Sequence, residues 1–171
     1  HDWGAAVAWW LALTRPDLVT RLVVANVPHP SVFAREVKSN RKQMRKSWYI
    51  FAIQAPWLPE RIAFGKRTRG RFARMIAKTG KPGSFDARYL EQLEDAWAHP
   101  GAGTGMMNWY RASVRRRPER LADKRVHVPT LIIWGRRDVA LSDTMVEPSA
   151  AFCDDVPGEF LDDPTHRGLP H

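Results

Sequence analysis

Two apolar runs constrain the fold of this 171-residue chain more than anything else in it: "TRLVVANV" (20–27) and "VPTLIIWG" (128–135). Both are short, rich in β-branched residues and almost free of charge, the pattern of strands buried on both faces of a parallel sheet. About a hundred residues separate them, and that interval reads as helical. One crossover helix is enough to join two parallel strands. Most of the interval must therefore be an insertion rather than a connection.

The remaining elements fit the same scheme. Residues 4–15 predict a helix of small and apolar residues, with Arg15 in its last turn and Pro16 ending it. "PHPS" (28–31) reads as a turn, and a polar helix follows from about Val32 to Lys46. "SWYIFAIQAPWLPE" (47–60) is aromatic and broken by Pro56 and Pro59. A basic helix over 61–79, a loop over 79–84 and an amphipathic helix from Phe85 to Ala98 come next. "HPGAGTG" (99–105) interrupts the chain before a helix over roughly 105–117. After the second strand, a helix around 142–152 and a weaker strand "GEFLDD" (158–163) close the pattern. The expectation is a partial α/β fold, a parallel sheet with flanking helices and a helical cap inserted between strands. Residues 1–31 and 126–171 form the core, and residues 32–125 form the cap, or lid.

Composition narrows the class. The net charge is +9, but residues 35–125 alone hold 22 Lys and Arg against 8 Asp and Glu, and the remainder is net acidic. Runs such as "KRTRGR" (66–71) and "RRRPER" (115–120) come without a recognition helix or RNA-binding signature. They read as a solvated helical surface, so no nucleic-acid partner is expected. No apolar run reaches the roughly 20 residues of a membrane span. Cys153 is the sole cysteine, which excludes an internal disulfide and fits a reducing, cytoplasmic setting. The His and Cys spacings form no zinc pattern, so neither metal nor cofactor is expected.

Three titratable residues stand just past apolar strands or at the start of a helix, where α/β sheets carry their chemistry. Asp2 precedes the first helix, Asp138 follows "LIIWG", and His166 follows "FLDDPT". Asp143 is a weaker alternative to Asp138. Nucleophile, acid and histidine in that order match an α/β-hydrolase triad. Each has a plainer reading as well: Asp2 as a helix cap, Asp138 as a loop acid, His166 as a surface-turn histidine. His29, His99 and His127 lie in or near proline turns or before a strand and read as structural.

Five segments, in order, carry a resemblance. "HDWGAAVAWWLA" looks like the nucleophile elbow of α/β-hydrolases that use Asp rather than Ser. "SWYIFAIQAPWLPE", "GMMNWYRA", "PTLIIWGRRDVAL" and "DDPTH" resemble the later landmarks of the epoxide hydrolase family. The resemblance implies Asp2 as nucleophile, His166 as general base and Asp138 as its charge partner. It further implies Tyr49 and Tyr110 as proton donors to the epoxide oxygen, and the Trp3 backbone N–H as an oxyanion donor. Trp48, Trp57 and Trp109 are then cap core or pocket lining. The implied substrates are a small hydrophobic epoxide and water.

Two departures stand out. An elbow needs a strand and a small residue before the nucleophile, yet the sequence opens one residue before Asp2. After His166 comes Arg167, where the family carries an aromatic residue and then a closing helix. The chain therefore reads as the C-terminal piece of an enzyme, inactive or only partly folded alone. A haloalkane or haloacid dehalogenase uses the same Asp, His and water and is the nearest rival. A non-catalytic module of the same fold is the rival from another class. A serine esterase is disfavoured because G-x-S-x-G is absent from the sequence.

Overall fold

The structure, a computed structural model, describes residues 1–80, 83–116, 121–136 and 138–156, together with the backbone of 158–161. The chain divides into two compact units, one of residues 1–47 with 119–171, the other of residues 48–118.

The first unit is built on a parallel sheet. Strands β1 (Leu22–Ala25), β2 (Thr130–Gly135) and β3 (Gly158–Leu161) lie in that order. Leu22 is in register with Thr130, and Ile132 with Gly158. Helix α1 (Asp2–Thr14) buries Ala5, Trp9 and Ala12, a spacing that lines one helical face. Alanines let the helix approach closely, and Trp9 fills the space while its indole donates to the Val27 carbonyl at 3.1 Å. Trp9, Val24, Val32, Val126, Ile132, Trp134 and Met145 are fully buried and form the core. β1 departs from the expected two-sided burial. Successive side chains point to opposite faces, and Val23 is 58% exposed between buried Leu22 and Val24.

Helix α2 (Pro30–Ser39) starts inside the predicted turn. Pro30 supplies a pre-set φ for the first helical position, and the His29 ring Nδ1 accepts from the Ser31 amide at 3.2 Å. The helix predicted through residue 46 breaks at Asn40, and α3 (Arg41–Lys46) begins there. The reason is a cap: Asn40 Oδ1 accepts the amides of Lys42 and Gln43.

The second unit is entirely helical among its described residues, with α4 (Trp48–Ala52), α5 (Leu58–Phe64), α6 (Arg69–Ala77), α7 (Ala87–Ala98) and α8 (Ala102–Arg115). The single basic helix expected over 61–79 is two helices, parted at Gly65. A Cβ on Gly65 would lie 2.5 Å from the Arg61 carbonyl oxygen, so only glycine permits that close turn. Helix α8 begins three residues earlier than expected, after Gly101 at φ +81°. Phe64, Phe72 and Trp97 pack with ring centroids 5.3–5.5 Å apart, and Gly103 lets α8 come against Phe64.

Candidate active site

Asp2 is the first residue of α1, and its φ is +52°. The left-handed region is unfavourable for any residue with a Cβ and disfavours Asp less than most. The cap position belongs to His1, and no side-chain hydrogen bond caps the helix. Asp2 is thus not an N-cap but an exposed carboxylate on a tightly turned backbone at a helix start. The Trp3 amide sits in the same first turn, ahead of the first backbone bond, which Ala5 donates to the His1 carbonyl. Helix amides of that turn point outward at the positive end of the helix dipole.

Asp138 lies in the loop after β2 and is 4% exposed. Its Oδ1 accepts the amides of Ala140 (2.7 Å) and Leu141 (2.8 Å), a local turn closed by the carboxylate itself. Its Oδ2 accepts from the Asn26 carboxamide at 2.8 Å. Asn26, just past β1, also accepts the Gly135 amide at 2.8 Å. Helix α3 holds the loop's backbone. Gln43, fully buried, donates to the Ala140 carbonyl and accepts the Ser142 amide. Lys46 donates to the carbonyls of Asp138 and Leu141, and burial holds its ammonium below the usual lysine range. Sequence reasoning missed all three. A polar helix looks solvated from its composition. An Asn at the tip of an apolar strand, before a proline, is the one visible signal. Asp143 lies in a short 3₁₀ turn (Asp143–Met145), outside this network of hydrogen bonds to Asp138.

Within the second unit, Tyr49 and Tyr110 meet edge to face, with centroids 5.6 Å apart. Gln54 ties their helices together by donating to the Ile50 and Tyr110 carbonyls. The next residue, Arg111, is 9% exposed. It forms a two-pronged pair with Glu60 and donates to the Ile53 and Ala55 carbonyls. This pairing holds the Glu60 carboxyl below its ordinary range. The α4–α5 connection is thereby fastened to α8 beside both tyrosines. Trp48, Trp57 and Trp109 each expose more than half of their surface. Trp57, at φ +48°, lines an open basin of about 540 Å³ with Glu60, Arg61 and Arg111. His166 lies outside the described residues.

The structural histidines differ in kind. His127 is exposed and clasped between Asp154 (2.6 Å) and Asp123 (2.9 Å), bonds that raise its pKa. His29 is fully buried, stacked on Phe152 at 4.4 Å and edge-on to Trp9. Desolvation lowers its pKa to about 4, against an opposing contact with the Lys124 backbone. Between about pH 6.5 and pH 4 the unfolded chain binds a proton that the folded chain refuses. Stability therefore falls as pH drops through that window, by up to about 3 kcal/mol from this residue. Urea unfolding of His29→Phe should show a cost at pH 7 that shrinks towards pH 4.5. An equal cost at both pH values would contradict this.

Among the described residues, no group of three or more His, Cys, Asp or Glu is placed to hold a metal ion. Nor is any helix there long and apolar enough to cross a membrane.

No protein-family model matches the chain. It is 35% identical over 168 residues to the AB hydrolase superfamily protein YfhM of Bacillus subtilis, covering 97% of this chain and 57% of that protein. To epoxide hydrolase 2 of Caenorhabditis elegans it is 34% identical over 181 residues, covering 100% of this chain and 48% of that one. To epoxide hydrolase 3 of Mus musculus it is 37% identical over 150 residues, covering 86% and 40%. The chain spans about half the length of these relatives. Among solved structures, an epoxide hydrolase of Bacillus megaterium bound to an inhibitor matches with a TM-score of 0.79 at 24% identity, covering 97% of this chain and 61% of that one; it shares the fold. A chain from novel epoxide hydrolases found in hot-environment metagenomes matches with a TM-score of 0.77 at 29% identity, covering 97% and 59%. With its parallel strands, its helical segment between them and these relatives, the chain has the α/β-hydrolase fold and resembles the epoxide hydrolases that share it.

Proposed function

We propose that the protein carrying this chain hydrolyses a small hydrophobic epoxide to a vicinal diol in two steps. In the first, an Asp2 carboxylate oxygen attacks a ring carbon and the carbon–oxygen bond opens. The departing oxygen takes a proton from Tyr49 or Tyr110, leaving a hydroxyalkyl ester on Asp2. An aspartate is already ionised at neutral pH, so this attack needs no base. In the second step, His166, oriented by Asp138, takes a proton from water as the water oxygen attacks the ester carbonyl. The Trp3 amide stabilises the oxyanion. Collapse expels the diol oxygen, which takes the remaining proton of the added water and leaves the Asp2 carboxylate, while the proton on His166 returns to the tyrosinate.

The observation that carries the epoxide reading is the pairing of the two tyrosine rings, each half-buried, on helices whose backbone Gln54 joins through the Ile50 and Tyr110 carbonyls. An epoxide leaving group is an alkoxide and needs a proton donor, whereas a halide does not. The left-handed turn at Asp2 supports its role as nucleophile. The relatives named epoxide hydrolases support the same substrate class. The exposed aromatics of the second unit, Trp48, Trp57 and Trp109, supply the apolar surface that such a substrate requires.

Replacing both tyrosines by Phe in the full-length protein tests the proposal. Ring opening of styrene oxide should fall by about 10²–10⁴, and each single change should cost part of that. Halide release from a haloalkane that survives both changes would identify a dehalogenase instead. Failure of styrene oxide to form any ester on Asp2 would point to a non-catalytic module.

A further inference from the structure

We infer that Asn26 is a positioning residue for the second step, acting through Asp138; this rests on the epoxide hydrolase reading, which gives Asp138 its part. Asn26 and Asp138 are 112 positions apart, yet their side chains meet at 2.8 Å where the carboxyl ends of β1 and β2 lie side by side. Asn26 is 5% exposed, and its own amide extends the β1–β2 ladder by donating to the Ile133 carbonyl at 2.9 Å. Its side chain is the bridge. Oδ1 accepts the Gly135 amide, on the last residue of β2, while Nδ2 donates to Asp138 Oδ2.

The backbone there stands at φ +54°, so the position wants a residue that tolerates the left-handed region. It also wants one donor and one acceptor on a short, planar group. Asn satisfies all three demands. Leu or Val, the neighbours' residue types, satisfies none. Asp138 Oδ1 is committed to the amides of Ala140 and Leu141, which match its two lone pairs. Asn26 holds the other oxygen, Oδ2, and so sets the direction of the carboxylate. Gln43 and Lys46 hold the backbone of the same loop, whereas Asn26 acts on the carboxylate itself.

Two variants of the full-length protein separate positioning from folding. Asn26→Gly suits φ +54° without strain and deletes the bridge. Asn26→Asp keeps the size and the acceptor for Gly135 but turns the donor into a like charge against Asp138. Single-turnover experiments with styrene oxide would follow the ester on the Asp2 peptide by mass spectrometry, and the diol separately. Ester formation should stay within about twofold of wild type in both variants. Ester hydrolysis should slow by about tenfold to a hundredfold, so that the ester accumulates. Thermal midpoints would be read alongside, and Asn26→Asp decides the question if Asn26→Gly does not fold. Unchanged hydrolysis, equal slowing of both steps, or restoration by Asn26→Asp would each overturn the inference. Absence of any ester in the wild type would overturn the epoxide hydrolase reading, and this inference with it.

Discussion

Asp2→Asn in the full-length protein is expected to lower diol formation by about 10⁴–10⁶, the scale seen when a covalent catalyst loses its nucleophile. A neutral carboxamide keeps the size of the side chain but is a poor nucleophile towards carbon. Asn is also the right replacement for the backbone. At φ +52° an Ala would add a left-handed penalty of about 1–2 kcal/mol and confuse the result, whereas Asn tolerates that region. An oxygen label makes the test specific. In a single turnover in heavy-oxygen water, the proposed chemistry takes the new diol oxygen from Asp2, so the first product carries light oxygen. The label should enter the Asp2 carboxylate instead and reach the diol only in later turnovers. Label in the first-turnover diol would mean direct attack by water and would remove Asp2 from the role of nucleophile.

The second large effect is expected at Asp138. Asp138→Asn should lower turnover by about 10⁴, the scale observed when the acid of a comparable triad becomes an amide. The loss should fall on ester hydrolysis, with the Asp2 ester trapped. The surroundings make the substitution costly in another way. If the new carbonyl keeps the Oδ1 bonds to Ala140 and Leu141, the new NH₂ confronts the Asn26 NH₂, donor against donor. Leaving those buried groups unpaired costs about 1–3 kcal/mol. Urea titration should show that loss together with the kinetic one. A variant that loses stability but hydrolyses the ester at the wild-type rate would reduce Asp138 to a loop-building acid.

Several features of the molecule were legible from residue order. The strands over 22–25 and 130–135 were visible because a buried parallel strand leaves an uninterrupted apolar run, and β1–β2 pairing follows. The helix at 2–14 was visible up to Pro16. Helix breaks were harder to see. Asn40 and Gly65 stand inside polar, helix-compatible stretches and act through one cap and one close approach, neither of which shifts the local pattern. The start of α8 was hidden among glycines that favour a loop unless a neighbour such as Phe64 rewards their closeness.

The candidate site divides along the same line. Asp2, Asp138, Tyr49 and Tyr110 stand out in the sequence as candidates because each lies at a strand end, at a helix start or in a recognisable segment. What sequence alone determined was therefore the alternation of apolar and polar segments, and with it the sheet and the helices between its strands. That information is local, written in each segment's own periodicity. Tertiary structure alone decided which groups meet: Tyr49 with Tyr110, Arg111 with Glu60, and Asn26, Gln43 and Lys46 around the Asp138 loop. Hydrogen bonds of this kind join residues on separate elements, and their strength depends on distance and burial. Neither quantity exists until strands and helices have packed.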